Sequence, residues 1–171
     1  GFALGLILRG HPSNLLDARI RWSGLLFLAV IVRFGTELAI ANGVGEIIVG
    51  QHGLLSTPAA SHLIRQRHAA AGFILTASHN PGGPTGDFGL KFNTPTGGQA
   101  PEHVTDEVFR ISQRQTGYRR VELPAVDLSR TGITRIGGVV LEVVDPVADY
   151  AALMESLFDF AAIRELIAGG F

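Results

Sequence analysis

Short apolar runs alternate along the chain with segments that carry apolar residues at helical spacing. The runs have the length of buried strands, and Gly, Pro or Asn residues bound many of them. This pattern predicts strands at Leu25–Val32, Glu46–Val49, Phe73–Thr76, Leu90–Asn93 and Gly138–Val144. It predicts helices at Thr36–Ala41, from Ser56 to about Ala70, at Pro101–Gln115, from Asp145 to about Leu157 and at Phe160–Ala168.

The alternation of strands with helices favours a sheet that is covered by helices on both faces. The predicted fold class is therefore α/β: a three-layer α/β/α domain with a mainly parallel sheet, incomplete at both ends. Ser56 and Asp145 are candidate N-caps, because each stands just before a proline-containing first turn. Residues 1–24 have no clear period, and residues 116–135, rich in Arg and polar residues, are predicted to be an excursion or linker.

Composition and charge limit the class of protein. The chain has 171 residues, 46% hydrophobic and 17% charged, which is typical of one globular domain. A net charge of −1 gives no electrostatic reason to expect nucleic acid as a partner. The absence of Cys excludes a disulfide framework and agrees with a reducing compartment, so the predicted localisation is cytoplasmic. The run Leu25–Val32 is far shorter than the ~20 residues that span a bilayer, and no membrane partner is predicted.

Reactive side chains are concentrated in the loop that follows the predicted strand Phe73–Thr76. Ser78 places a hydroxyl at the carboxyl edge of the predicted sheet, where open α/β sheets bind ligands. The next residue is His79, whose imidazole can titrate near neutrality. Lys91 follows on a predicted strand in which Leu90 and Phe92 face the opposite side. A hydroxyl, an imidazole and an amine so close in sequence indicate a functional loop.

The sequence of this loop carries a family resemblance. Residues Thr76–Asn93, Thr-Ala-Ser-His-Asn-Pro-Gly-Gly-Pro-Thr-Gly-Asp-Phe-Gly-Leu-Lys-Phe-Asn, resemble the phosphoserine loop of the α-D-phosphohexomutase superfamily. The Gly-Gly-Pro extension and the Gly-Asp-Phe-Gly-x-Lys-Phe-Asn continuation resemble the phosphoglucomutase branch rather than the phosphomannomutase branch. Gly50–Ala60, Gly97–Ser112 and Val143–Phe171 are also similar to the first domain of that branch. The resemblance covers roughly residues 41–171.

The resemblance implies an isomerase of glucose metabolism that works as an intramolecular phosphotransferase. Such an enzyme interconverts glucose 1-phosphate and glucose 6-phosphate, and its bisphosphate intermediate, glucose 1,6-bisphosphate, is the implied activator. Ser78 would carry the phosphoryl group, His79 would be its polar neighbour, and Lys91 would act as an acid/base or phosphate-neutralising group. Mg²⁺ is the implied metal, with Ser78 as a ligand through its phosphate, and a hexose phosphate is the implied substrate. Without the motif, Ser78 would be read as an ordinary turn serine. His79 could simply hold the loop by hydrogen bonds, and Lys91 could be a solvated strand lysine.

Other parts of the family pattern are missing from this sequence. It has no Asp-x-Asp-x-Asp metal-binding run, and residues 1–31 contain neither the Gly-Thr-Ser-Gly-x-Arg nor the Gly-Gly-Asp-Gly-Arg motif of the family. The predicted organisation is a divergent or truncated segment at 1–34, a domain I-like unit at 35–158, and the start of a connection at 159–171. The expectation is a fragment that lacks its C-terminal domains and is inactive alone.

Two hypotheses of different classes remain open. The first is the first domain of a phosphoglucomutase, separated from the rest of its chain. The second is a degenerate, non-catalytic α/β module that binds sugar phosphate or a protein partner. A downstream reading frame with the Asp-x-Asp-x-Asp run would favour the first, and a true stop after Phe171 the second. A small hydrolase that uses Ser78 is disfavoured, because no Gly-x-Ser-x-Gly elbow is present.

Overall fold

Six strands form one sheet in a computed structural model that describes residues 4–9, 24–82 and 85–170. The strands are β1 (Leu4–Arg9), β2 (Glu46–Leu54), β3 (Ala71–Thr76), β4 (Gly89–Asn93), β5 (Gly132–Ile136) and β6 (Val139–Val144). The helices are α1 (Gly24–Ala41), α2 (Thr57–Gln66), α3 (Glu102–Ser112), α4 (Ala148–Leu157) and α5 (Phe160–Ala168). The strand order across the sheet is β4-β3-β1-β2-β6-β5.

Helices pack on both faces of this sheet, because consecutive strand residues point to opposite sides. Ile48 of β2 packs in one cluster with Ile64 of α2. Its neighbours Ile47 and Val49 pack in the other cluster, with Ala39 of α1. The three-layer α/β/α arrangement predicted from the sequence is therefore confirmed.

The sheet is mixed, so the prediction of a mainly parallel sheet is wrong. Only β2 and β6 pair in parallel among the described strands, and the other four pairings are antiparallel. β2, α2 and β3 follow one another as strand, helix and strand, as the alternation predicted. However, β1 lies between β2 and β3 in the sheet and pairs with both in the antiparallel sense. At the sheet edge, Gly137 and Gly138 have φ of 56° and 85° and close a tight hairpin between β5 and β6.

The apolar run Leu25–Val32 is helical, which corrects the prediction of a strand there. It forms the first half of α1, and the predicted short helix Thr36–Ala41 forms the second half. Periodicity alone does not separate a short buried helical segment from a strand. In the structure, Val32, Thr36 and Ala39 are all buried at helical spacing. Among the helices of the described residues, α1 included, none combines the length and the hydropathy that crossing a bilayer requires.

The segment between α3 and β5 is docked on α1 through a buried carboxylate. Glu37 is 2% exposed; it accepts a hydrogen bond from Nε of Arg33 at 3.0 Å and forms an ion pair with Nε of Arg120 at 2.8 Å. Arg33 also donates to the backbone carbonyl of Leu123 at 2.8 Å. A segment predicted as an excursion is thus attached to the domain, and its last residues belong to β5.

Of the two predicted helix N-caps, Ser56 is confirmed and Asp145 is not. Ser56 caps α2 as predicted, since its Oγ accepts from the backbone N–H of Ala59 at 3.3 Å. α2 ends at Gln66, earlier than predicted. Asp145 is not the N-cap by position, because α4 begins at Ala148. Its carboxylate nevertheless accepts from the N–H groups of Val147 and Ala148, at 2.8 and 2.9 Å.

These two bonds make the stability of the α4 terminus depend on pH. The backbone N–H groups of Val147 and then Ala148 hold the pKa of Asp145 below its usual value. A carboxyl whose pKa is lowered by folding stabilises the fold above its unfolded-state pKa, and this stabilisation is lost as the pH falls through the folded-state pKa. We expect Asp145→Asn to flatten the acid decline of the free energy of unfolding, measured by urea titration at several acidic pH values. Asp106→Asn, on the exposed side of α3, is the control and should leave the decline unchanged.

Candidate functional site

Ser78 lies immediately beyond the carboxyl end of β3, on the loop that leads to β4. Its side chain is exposed and its backbone is left-handed, with φ of 58°. A non-glycine residue in this region costs about 1–2 kcal/mol and persists only where the surroundings hold it. Its N–H donates to Oγ1 of Thr76 at 3.0 Å, and the N–H of Asn80 donates to the carbonyl of Ala77 at 3.1 Å. The loop therefore presents the Ser78 hydroxyl on a tight, strained turn formed by Ala77–His79, called the elbow below.

Lys91 reaches this hydroxyl from the neighbouring strand. β3 and β4 pair with Ile74 opposite Lys91, so the two side chains lie on one face of the sheet. Phe92 lies on the other face and packs against Phe73, with ring centroids 5.2 Å apart. This confirms the predicted alternation along β4. The Lys91 Nζ lies 3.5 Å from Oγ of Ser78, at the outer limit of a hydrogen bond.

Lys91 is also the single lysine of the whole sequence. An ammonium group beside an exposed hydroxyl can neutralise a phosphate ester formed there or take part in a proton transfer to it. The sequence signal for this pairing was the Gly-Leu-Lys-Phe-Asn strand itself, whose period places the amine opposite its apolar neighbours.

His79 is placed differently from Ser78 and Lys91. Its side chain is exposed and makes no hydrogen bond to the described residues. It does not line the pocket beside Ser78. The structure thus brings two of the three candidate residues together, and the role of His79 remains a prediction from the family resemblance.

An open pocket of about 290 Å³ lies beside the Ser78 hydroxyl. Its wall includes Asn80 and Asp87, whose side chains hydrogen-bond to each other, and Phe88, which is 60% exposed. Sequence reasoning did not single out Asp87. The only sequence signal for Asp87 was its place in the Gly-Asp-Phe-Gly continuation, since no period relates it to Asn80.

The described residues do not complete a magnesium site. Mg²⁺ prefers near-octahedral oxygen coordination, usually with one or two carboxylates plus phosphate and water. No cluster of three or more His, Asp or Glu side chains that could hold a metal occurs among residues 24–82 and 85–170. The oxygen donors near the hydroxyl are a phosphate on Ser78, once formed, and the carboxylate of Asp87, which is already engaged by Asn80.

His52 belongs to the segment Gly50–Ala60, which resembles the family, and its backbone makes structural contacts. It is a second non-glycine residue in the left-handed region, with φ of 58°. Its N–H donates to the carbonyl of Leu128 at 2.7 Å, and Gln51 Nε2 donates to the carbonyl of Ser129 at 2.6 Å. These bonds fasten the end of β2 to the segment before β5. His52 does not line the pocket beside Ser78.

Comparison with known proteins gives a consistent result. The family described as phosphoglucomutase/phosphomannomutase, alpha/beta/alpha domain I, matches residues 30–119. A phosphoglucomutase from Rhizobium radiobacter is 50% identical over 141 residues, which is 82% of this chain and 26% of that protein. A phosphoglucomutase from Schizosaccharomyces pombe is 51% identical over 130 residues, which is 76% of this chain and 24% of that protein.

A solved structure is similar as well. It is the open form of the exocytosis-sensitive phosphoprotein pp63/parafusin, a phosphoglucomutase from Paramecium. The TM-score is 0.70 at 39% sequence identity, over 81% of this chain and 27% of that chain. The chain therefore spans about a quarter of the length of the relatives that it matches.

Proposed function

Because the chain belongs to the phosphoglucomutase/phosphomannomutase family through its α/β/α domain I, we propose that Ser78 is the phosphoryl carrier of a phosphoglucomutase. The observation that carries this proposal is the exposed Ser78 hydroxyl on a left-handed elbow, 3.5 Å from the chain's single lysine. The net reaction interconverts glucose 1-phosphate and glucose 6-phosphate. Cytoplasmic localisation belongs to the same proposal.

The proposed step transfers one phosphoryl group between a sugar bisphosphate and Ser78. As the Oγ–P bond forms, the bond from phosphorus to the sugar oxygen breaks. The Oγ proton is lost, and the departing sugar oxygen gains a proton, so a hexose monophosphate is released. Return of the phosphoryl group to the other hydroxyl of the sugar reverses these bond changes and regenerates the Ser78 hydroxyl.

Lys91 has two uses in this step. A phosphoserine carries about −1.5 to −2 charges near pH 7, and the ammonium group offsets part of that charge. Its Nζ is also close enough to Oγ to give or accept the proton that moves as the P–O bonds exchange. Phosphoryl transfer depends mainly on positioning and charge stabilisation, which suits an elbow held in one conformation.

The remaining requirements are proposed from the family. The family implies Mg²⁺, which supplies further charge neutralisation when bound, and Ser78 would be a ligand only through its phosphate. Glucose 1,6-bisphosphate is the proposed activator and a hexose phosphate the proposed substrate. The matched part of the chain covers only about a quarter of these relatives, and their further sequence is proposed to supply the other ligands and the sugar-binding groups.

A second candidate function is a non-catalytic module that binds sugar phosphate or a protein partner. It is favoured by the incomplete set of metal donors among residues 24–82 and 85–170. The two candidates differ in one measurable property, because a degenerate module would bind the bisphosphate without accepting its phosphoryl group.

The test is incubation of the purified chain with glucose 1,6-bisphosphate and Mg²⁺, followed by mass spectrometry of its peptides. We expect phosphate on Ser78. A coupled assay for glucose 6-phosphate should then show little or no turnover, and robust turnover would contradict the inferred incompleteness of the site. Binding of the bisphosphate without any phosphate on Ser78 would support the non-catalytic module instead.

Lys91 gives an independent prediction. We expect Lys91→Met to slow phosphate incorporation at Ser78 about 100-fold, because the variant removes both the charge and the transferable proton. Lys91→Arg keeps the charge but is a poor proton donor, so it should recover binding of the bisphosphate better than the rate. Equal rates in Lys91→Met and the unmodified chain would remove Lys91 from the mechanism.

A further inference from the structure

We propose that the side-chain bridge between Asn80 and Asp87 is a positioning element that holds Ser78 in its left-handed conformation for phosphoryl transfer. The inference rests on the function proposed above for Ser78. Neither residue is required to touch the transferred group in this role. Asn80 and Asp87 act through the backbone of the elbow that lies between them and β3.

Two clamps fix the ends of this elbow. The first is the strand pair, in which Thr76 of β3 lies opposite Gly89 of β4. The second is formed by Asp87, whose carboxylate accepts from Nδ2 of Asn80 and whose N–H donates to the carbonyl of Pro81 at 2.9 Å. The chain must therefore reverse within the few residues between Thr76 and Asn80.

Within that stretch, the hydrogen bonds leave Ser78 little freedom. Its own N–H is bonded to Oγ1 of Thr76, and the N–H of Asn80 is bonded to the carbonyl of Ala77. A rotation of Ser78 to negative φ would displace Asn80 relative to β3. Because Asn80 is tied to Asp87 on the far side of the loop, that rotation would break the bridge.

The energetic cost of the left-handed conformation of Ser78 is similar in size to the stabilisation that the Asn80–Asp87 bridge provides. A left-handed non-glycine residue and one hydrogen bond to a charged group each shift an equilibrium by about tenfold or more. The Asn80–Asp87 bridge and the turn bonds around Ser78 all lie between exposed or half-buried groups, so no single one of them outweighs the strain by a wide margin. Loss of the bridge should therefore shift the elbow of Ser78 measurably while leaving the sheet intact.

The strength of the Asn80–Asp87 bridge depends on the charge of the Asp87 carboxylate as well as on the geometry of the bond. Hydrogen bonds to an ionised acceptor are roughly twice as strong as neutral ones. Asp87→Asn keeps an oxygen acceptor for Asn80 but loses the charge, so it should weaken the bridge, whereas Asp87→Ala removes it. The exchange Asn80→Asp with Asp87→Asn rebuilds the same bond with donor and acceptor reversed. This order of effects is specific to a direct side-chain bridge.

The conformation of Ser78 can be measured in the full chain by NMR. A residue with positive φ shows a strong NOE between its own amide and α protons, because the two lie close together. We expect this NOE in the unmodified chain, a clear loss in Asn80→Ala and Asp87→Ala, an intermediate value in Asp87→Asn, and restoration in the exchanged double variant. Asp106→Ala, an exposed carboxylate on α3, is the matched control and should change nothing at Ser78.

The rate of phosphate incorporation at Ser78 from glucose 1,6-bisphosphate is the second measurement. We expect Asp87→Ala to lower it about tenfold, and the exchanged variant to return it close to the original value. An unchanged NOE in both alanine variants would overturn the proposal, as would an exchanged variant that keeps the native sheet signals but fails to restore the NOE.

The two proposals can fail separately. An unmodified chain that takes up no phosphate refutes the function assigned to Ser78, while the NOE series still decides whether the bridge sets its conformation. An unmodified chain that is phosphorylated at Ser78, but whose Ser78 NOE is insensitive to Asn80 and Asp87, refutes the bridge alone.

Discussion

Ser78→Ala is expected to abolish phosphate incorporation from glucose 1,6-bisphosphate into this chain. The hydroxyl is the only group on the elbow that can form the phosphate ester in the proposed step, so its removal leaves no acceptor. The fold should persist, because the backbone bond from residue 78 to Oγ1 of Thr76 does not use the hydroxyl. Peptide mass spectrometry measures the outcome directly, and circular dichroism checks that the variant is folded.

A second variant separates chemistry from strain at the same position. Ser78→Gly removes the hydroxyl and also the penalty for positive φ, so it should be more stable than the unmodified chain by about 1 kcal/mol and equally free of phosphate. Ser112→Ala, at the exposed end of α3, is the control for a serine outside the site and should keep full incorporation at Ser78. Phosphate found on Ser78→Ala at the original stoichiometry would place the acceptor elsewhere.

Gly50→Ala is expected to lower the free energy of unfolding by about 3 kcal/mol, near the upper end of overpacking costs. Gly50 is buried in β2, and an added Cβ would overlap the backbone carbonyl group of Leu54 and press on Leu55. Backbone atoms cannot rotate away as the end of a flexible side chain does. The irregular end of β2, which leads into the cap of α2, would have to move.

Gly45→Ala is the matched control for this experiment. Gly45 lies just before the same strand, its φ is not in the left-handed region, and an added Cβ would meet nothing within 4 Å. Alanine should therefore be tolerated or slightly stabilising there, since it reduces the freedom of the unfolded chain. Urea titration of both variants provides the measurement, and equal stability of the two would show that the turn after Gly50 relaxes at low cost.

Local signals carried most of the correct sequence predictions. The Ser56-Thr57-Pro58 turn predicted the start of α2, and the helical pattern of Phe160–Ala168 predicted α5. The alternation of Leu90, Lys91 and Phe92 predicted which face of β4 carries the amine. Each of these signals involves residues only a few positions apart, so the groups that interact can be identified from the local sequence.

Pairings between distant segments were the part that the sequence did not reveal. β1 carries no pattern that assigns it to the centre of the sheet, and the apolar run of α1 fits a strand as well as a helix. The bridge between Asn80 and Asp87 joins two turn residues that no helical or strand period relates. These features depend on register and chain reversal, which are set by the sheet as a whole.

The central place of β1 also bears on how the chain acquires its structure during synthesis. β1 precedes the other described strands in the chain, and its neighbours on the two sides, β2 and β3, follow it much later. Its hydrogen-bonding edges can therefore be satisfied only after residue 76 has left the ribosome. Until then β1 is an unpaired strand, the kind of segment that pairs with other chains. Completion of the sheet around β1 during synthesis should accordingly wait for the emergence of β3.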